Sequence, residues 1–543
     1  MKLANRVRDH LSVRQLRNDI NADILRMAKA VAKASPKTDG GKRIVSFNAS
    51  TRITGLSLNA AFAMLTGWSL RLQGVKVIHF VCQRGMSRCV LGTNQDDVTK
   101  FPPCQKCVAQ SAVIYSHANN VRCDFYPSPE LAKTLQNADL STLMRFKYEG
   151  LPLGELCLPS MRWILRRHHL VEDELTRSLY RHYILSAYKV GMQFEKLLIE
   201  KDPQAVLVFN GMQFPEATAR YVARRFGLPV VSHEVGLLPY SSFLTEGDAT
   251  AYPVSIPNEF QLSDTQNQML DAYLSKRFKG DFSMAGVQFW PEMNGLDQAF
   301  LEKMKSFRQV VPIFTNVIFD TSQPHANVIF PHMFDWLDKV LVQIKKHPET
   351  LFVIRAHPDE SRPGKASRET VTSWVQDHGA DQLDNLVFVG PDAYFSSYEM
   401  IQRAKFVMIY NSTIGMEASI MGMPVLCAGK ARFTQLDTVY FPTSQDDYLA
   451  QFERFLEVDN IQAPAVHQQN SRRFLYYQLY RTSLPFDAFL EPDGIWPGFV
   501  RLKPFSWQDL LPEHSSTLKV ISEGLLEGKD FLLPEDGTFQ QAG

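Results

Sequence analysis

Phe406-Val407-Met408-Ile409-Tyr410 runs into Asn411-Ser412-Thr413-Ile414-Gly415-Met416-Glu417-Ala418-Ser419-Ile420-Met421, and the chain then turns through Gly422-Met423-Pro424 into Val425-Leu426-Cys427. A short apolar run is a buried strand, small hydroxyl residues and glycine open a helix, and Gly-x-Pro turns the chain into the next strand. The whole stretch is therefore one β–α–β unit of a parallel sheet. Backbone N–H groups and hydroxyls then stand at the positive end of a helix, so Ser412, Thr413 and Gly415 suit a phosphate and Glu417 suits ribose hydroxyls. Ordinary helix capping accounts for the same residues, with Glu417 favoured by the helix dipole alone.

Upstream, Leu351-Phe352-Val353-Ile354 carries Arg355 and His357 to the end of a second apolar strand that Pro358 terminates. A guanidinium fork and an imidazole together suit a diphosphate or nucleotide. Val310–Phe314, Leu386–Val389 and Pro424–Cys427 add strands, and Phe334–Lys346 a covering helix. The alternation predicts a parallel sheet covered on both faces.

The same alternation opens the chain. Ile44–Phe47 reads as a strand, Asn48–Gly55 as a loop, Leu56–Leu72 as a helix and Val75–Val81 as a strand. After a long insertion it resumes with strand Ala205–Phe209, helix Glu216–Phe226 and strand Leu228–Ser232; a helical stretch is expected from about Arg162 to Glu200. The predicted fold is α/β, with two doubly wound parallel-sheet domains facing a cleft. Its parts are a helical segment over 1–41, a first domain over 42–290 with an insertion at about 82–200, a second domain over 300–455, and a wrapping tail over 456–543.

With 58 Lys and Arg against 57 Asp and Glu, nothing global favours a nucleic acid partner. Residues 1–43 hold eleven basic and four acidic residues, an excess that suits an anionic membrane surface. Val13, Leu16, Ile20, Ile24, Met27 and Val31 recur at helical spacing there, so an amphipathic helix packed on the body accounts for the segment equally. The absence of a secretory signal or a spanning apolar run implies a cytoplasmic protein, soluble or peripheral at the inner face of the membrane.

Seven cysteines in 543 residues exclude a disulfide scaffold, yet Cys82, Cys89, Cys104 and Cys107 fall within 26 residues. Four converging thiolates make a closed structural zinc site, with unligated structural thiols as the alternative. The spacing of the first pair is wider than the usual metal knuckle.

The ordered set of Phe314-Thr315-Asn316 with Asp320, Arg355-Ala356-His357-Pro358, Ser396-Ser397-Tyr398, Asn411 to Glu417 and Gly422-Met423-Pro424-Val425 resembles the C-terminal half of capsule polysaccharide biosynthesis proteins, GT-B-fold glycosyltransferases related to bacterial Kdo transferases. The resemblance spans about residues 200–445. It implies a nucleotide-sugar donor in the second domain and a glycan or lipid-linked acceptor on the first. It further implies Arg355 and His357 on donor phosphate, Ser412, Thr413 and Gly415 as an anion-binding turn, Glu417 on ribose, and no catalytic metal. Transfer to a hydroxyl benefits from a base. Glu234 is the first candidate, His233 beside it the second, and Asp320 a third that with Asn316 simply shapes the cleft in the alternative reading. Ser50, Arg52 and their neighbours in the loop Asn48–Gly55 stand where an acceptor enters. The activities kept open beside glycosyl transfer are a CDP-polyol phosphotransferase, a sugar-nucleotide epimerase of the same fold, and a polysaccharide-assembly protein without turnover.

Overall fold

In the computed structural model, described over residues 2–37, 41–50, 53–278, 294–393 and 395–535, the apolar runs form two separate sheets. Thr51 and Arg52 lie outside the described residues, as do the side chains of residues 1–12.

The second sheet has five strands, all parallel, in the spatial order Leu386–Val389, Thr350–Arg355, Gln309–Phe314, Val407–Ile409, Val425–Cys427. Numbered along the chain that order is 3-2-1-4-5, so the connections reverse between Gln309–Phe314 and Val407–Ile409. Such a switch point opens a crevice at the strands' carboxyl ends. Thr350–Arg355 and Gln309–Phe314 are buried at every position, as strands covered on both faces must be.

The first sheet repeats the plan. Its parallel strands Asn119–Asp124, Lys76–Gln83, Arg43–Asn48, Ala205–Phe209 and Val230–Val235 again stand in the order 3-2-1-4-5, with their switch point between Asn48 and Asn210. Ser241–Thr245 then adds antiparallel to Val230–Val235. The last strand, Leu484–Pro485, arrives from the far end of the chain and pairs with Ser241–Ser242. The two facing Rossmann-like sheets make a GT-B-like α/β fold.

Two elements depart from expectation. The helical stretch expected from Arg162 to Glu200 is two helices, Leu153–Leu165 and Glu174–Lys201, because Arg166 adopts a left-handed conformation (φ 55°) that ends the first. The tail does more than wrap. Helix Ala465–Tyr476 continues through a π turn over Tyr477–Arg481 into the edge strand of the first sheet. Helix Ser516–Glu527 then packs on helix Leu58–Leu72 through Leu518 and Ile521, and Ser522 accepts a 2.7 Å hydrogen bond from the Gln73 amide.

Helix Lys2–Ala34 turns Ile20, Ile24, Met27 and Val31 into the same core. No helix among the described residues is long and apolar enough to cross a membrane.

Candidate functional site

The carboxyl ends of both sheets open onto one cleft holding about 720 Å³ of water-accessible space. Glu234 reaches it from the end of a first-sheet strand. Asn316, His357, Asn411 to Thr413, Lys430 and Arg432 reach it from the loops after four second-sheet strands.

At the second sheet's switch point the two loops are clasped to each other. The Asn411 N–H donates to Asn316 Oδ1 at 3.2 Å, and Asn411 Oδ1 accepts from Gln323 Nε2 at 3.2 Å. This holds Ser412 and Thr413 against the cleft, and the Thr413 hydroxyl makes no cap bond to its helix.

Gly415 has a different task from ligand contact. It is buried, and a Cβ there would stand 2.3 Å from Ile409 Cδ1, so the glycine lets helix Ile414–Ile420 lie directly on its own strand.

Glu417 is also turned inward and is 2% exposed. Arg277 Nε and Nη2 both donate to its Oε1, at 2.7 and 2.6 Å, and the Tyr398 hydroxyl donates to Oε2 at 2.5 Å. The ribose role expected for Glu417 therefore has no oxygen facing the cleft; the group presented there is Arg277. Burial works to lower the Arg277 pKa, but the Glu417 carboxylate outweighs it, so the guanidinium stays charged at the cleft wall.

His357 accepts a 3.1 Å hydrogen bond from the Asp359 N–H at Nδ1. Burial pulls its pKa down against the pull of Asp359 and Asp320, so the ring is neutral near pH 7 and its proton sits on Nε2. That leaves an N–H donor for a ligand oxygen.

Arg355 lies behind the cleft lining at 4% exposure, with Nη1 lacking a hydrogen-bond partner among the described residues and its pKa brought down to about 10 by burial. Lys430 and Arg432 complete the cationic side, and the Arg432 guanidinium covers the Tyr252 ring at 4.1 Å across the domain boundary.

On the first-domain side, Asn210 and Gly211 both take positive φ (58° and 81°), a turn open to Asn and Gly. The turn brings Asn210 Nδ2 to 2.8 Å from Glu234 Oε2, while the Val235 N–H donates to Oε1 at 3.0 Å. Burial raises the Glu234 pKa, the Asn210 bond opposes that, and the Asp320 charge nearby adds to it. Asp320 itself is exposed in the cleft and accepts from the Ser322 N–H at 2.8 Å.

His233 is separated from this group. Successive strand residues face opposite sides, so its ring packs near Phe209 at 3% exposure, with its pKa lowered to about 4 by burial. Of the expected residues, then, Glu234, Asp320, His357, Ser412 and Thr413 share the cleft, whereas His233, Arg355, Gly415 and Glu417 stand behind it.

Residues 293–436 match the model of one protein family. That family is the capsule polysaccharide biosynthesis proteins. The matched segment supplies every second-sheet residue of the cleft, and Arg277 lies just ahead of it. No curated protein matches the sequence. Among solved structures, the chain is similar to the KpsC beta Kdo 2,4 transferase of Thermosulfurimonas dismutans, at TM-score 0.35 and 11% identity over 52% of this chain and 81% of that one. It is also similar to that organism's KpsC beta Kdo 2,7 transferase (TM-score 0.29, 13% identity, 52% and 79% covered). A third is the UDP-GlcNAc 2-epimerase of Neisseria meningitidis bound to UDP-GlcNAc (0.24, 14%, 80% and 98%).

Proposed function

We propose that the protein is a glycosyltransferase that moves a sugar from a nucleotide donor to a hydroxyl of a surface polysaccharide or lipid-linked glycan. The observation that carries this reading is the charge layout of the cleft. Arg277, His357, Lys430 and Arg432 line it together with Glu234, an arrangement suited to a phosphorylated leaving group beside a base. The capsule-family segment supports the same class of chemistry.

In this reading the donor phosphates lie against Arg277, His357 Nε2–H, Lys430 and Arg432, with the Ser412 and Thr413 hydroxyls beneath. The acceptor hydroxyl gives its proton to Glu234 as its oxygen bonds to the anomeric carbon. The bond from that carbon to the phosphate oxygen breaks, and the nucleotide leaves with the electron pair. The fixed cations meet the developing negative charge without reorganising, which is where such sites gain most of their rate. The Glu234 carboxylate, raised above its ordinary range, is a stronger base than a solvated one.

The test begins with thermal melting of the protein in CMP, CDP, UDP, GDP and dTDP. A ligand at about a hundredfold its Kd stabilises the native state by about 2.7 kcal/mol. The matching nucleotide sugar is then incubated with and without a glycan acceptor. Acceptor-dependent release of nucleotide supports transfer. An altered sugar formed without acceptor assigns the cleft to epimerisation instead, and a folded protein that binds no nucleotide removes the reading.

A further inference from the structure

The long insertion of the first domain brings together the four cysteines that the cleft chemistry leaves unused. Cys82 ends strand Lys76–Gln83, Cys89 lies in the following loop, and Cys104 and Cys107 stand on the first turn of helix Cys104–Ile114. All four thiols line a single cavity with about 20 Å³ of water-accessible space. A cavity needs about 10–15 Å³ by this measure to hold one water, so this one admits a single small species.

The first two cysteines are held alike. In Cys82-Gln83-Arg84-Gly85 the Gly85 N–H donates to Cys82 Sγ at 3.3 Å, and in Cys89-Val90-Leu91-Gly92 the Gly92 N–H donates to Cys89 Sγ at 3.2 Å. Backbone N–H groups aimed at sulfur stabilise a thiolate over a thiol. Both glycines are needed for the approach: a Cβ at Gly85 would lie 2.5 Å from Cys123 O, and one at Gly92 would lie 2.7 Å from Pro102 Cβ. The second contact seats the Cys89 loop on the segment that leads into Cys104. The wide spacing of Cys82 and Cys89 thus reflects two separate Cys-x-x-Gly turns rather than one knuckle. Cys104 and Cys107 sit on the first turn of an eleven-residue helix that opens directly after Pro102-Pro103. None of the four is joined in a disulfide among the described residues.

We infer that Cys82, Cys89, Cys104 and Cys107 bind one structural zinc ion as four thiolates. Among the described residues no group of three or more His, Cys, Asp or Glu side chains is close enough as placed to hold a metal ion, so the proposal requires the four thiols to draw together around the ion. Each thiol gives up its proton to solvent as its Zn–S bond forms. The ion joins a strand end, a loop and a helix start, and Ala49, Ser50 and Ile53 of the loop after the first strand form part of the same cavity wall. It would therefore fix the insertion against the loop whose Ser50 hydroxyl hydrogen-bonds Glu216.

The test uses the full chain purified under reducing conditions from zinc-supplemented cells. The expected metal content is about one zinc per chain. Replacing the ion with Co²⁺ should give the intense near-ultraviolet absorption of thiolate-to-cobalt charge transfer, and Cys104 and Cys107 should resist iodoacetamide until a chelator is added. The double variant Cys104→Ser/Cys107→Ser should lose the metal. If that variant fails to fold, the cobalt spectrum and alkylation pattern of the unaltered chain decide alone. Folded protein with far less than one metal per chain, no charge-transfer band, or thiols equally reactive with and without chelator overturns the inference.

Discussion

The sharpest test of the cleft's construction is removal of the pair formed by Arg277 and Glu417, singly and together. Their side chains are 12% and 2% exposed, and both guanidinium contacts are at 2.7 Å or less. Glu417→Leu leaves the Arg277 charge buried beside an apolar chain, and Arg277→Met leaves a buried carboxylate held, among the described residues, by the Tyr398 hydroxyl. Breaking one partner of a buried pair costs about 3–5 kcal/mol. The double variant removes both charges and keeps the volume, so it should cost no more than the worse single change, which makes the coupling energy about 3 kcal/mol. Tyr398 loses its acceptor in both Glu417→Leu and the double variant, so its loss cancels in the cycle. The assay is equilibrium urea unfolding of the four proteins, with nucleotide binding measured beside it. Binding should fall in every variant, because Arg277 is either absent or released from its position, while stability recovers only in the double. Additive stability losses, or a Glu417→Leu cost below about 1 kcal/mol, would show that the pair does not hold Arg277 in place.

Three further outcomes are expected. Glu234→Gln should lower turnover by about 10²–10⁴-fold with nucleotide affinity unchanged, and the acid limb of the wild-type kcat/KM profile should lie above the ordinary carboxylate range; equal loss of affinity and turnover would argue for a binding role. Glu216 is 4% exposed and burial raises its pKa from 4.5 to about 7, so the folded state holds a proton that the unfolded chain gives up. Stability should then fall as pH rises from about 4.5 to about 7, by up to about 3 kcal/mol, and Glu216→Gln should flatten that slope in unfolding measured at pH 5 and pH 8. Gly415→Ala should destabilise by about 1–3 kcal/mol through the Ile409 clash, and Ile409→Val, which removes the offending Cδ1, should restore most of it in thermal melts.

The central strands were legible because they are covered on both faces. Val310–Phe314 and Leu351–Ile354 read as apolar runs, and the structure extends each by only a residue or so. Edge strands carry no such signal. In the edge strand Asn119–Asp124 only Cys123 is buried, and Ser241–Thr245, one strand in from the other edge, carries hydroxyls at three of its five positions, so neither stood out from loop sequence. The cleft was legible in so far as it opens at the strand ends, which is why His357, Ser412, Thr413, Glu234 and Asp320 line it. The direction a side chain faces depends on packing that no local pattern records. Ile409 is what makes Gly415 a packing residue, and Arg277, 140 positions before Glu417, is what turns that carboxylate away from the cleft. Arg277 itself lies in a stretch of weak periodicity and had no local signal.

The edge strand Leu484–Pro485 and helix Ser516–Glu527 have a topological consequence. The chain travels from the first sheet to the second and comes back, so the amino-terminal half is not an autonomous folding unit. A cut made anywhere between the two sheets would strip it of a sheet edge and of a helix that seals its core. The return path also means that the sheets are joined by two covalent connections instead of a single tether.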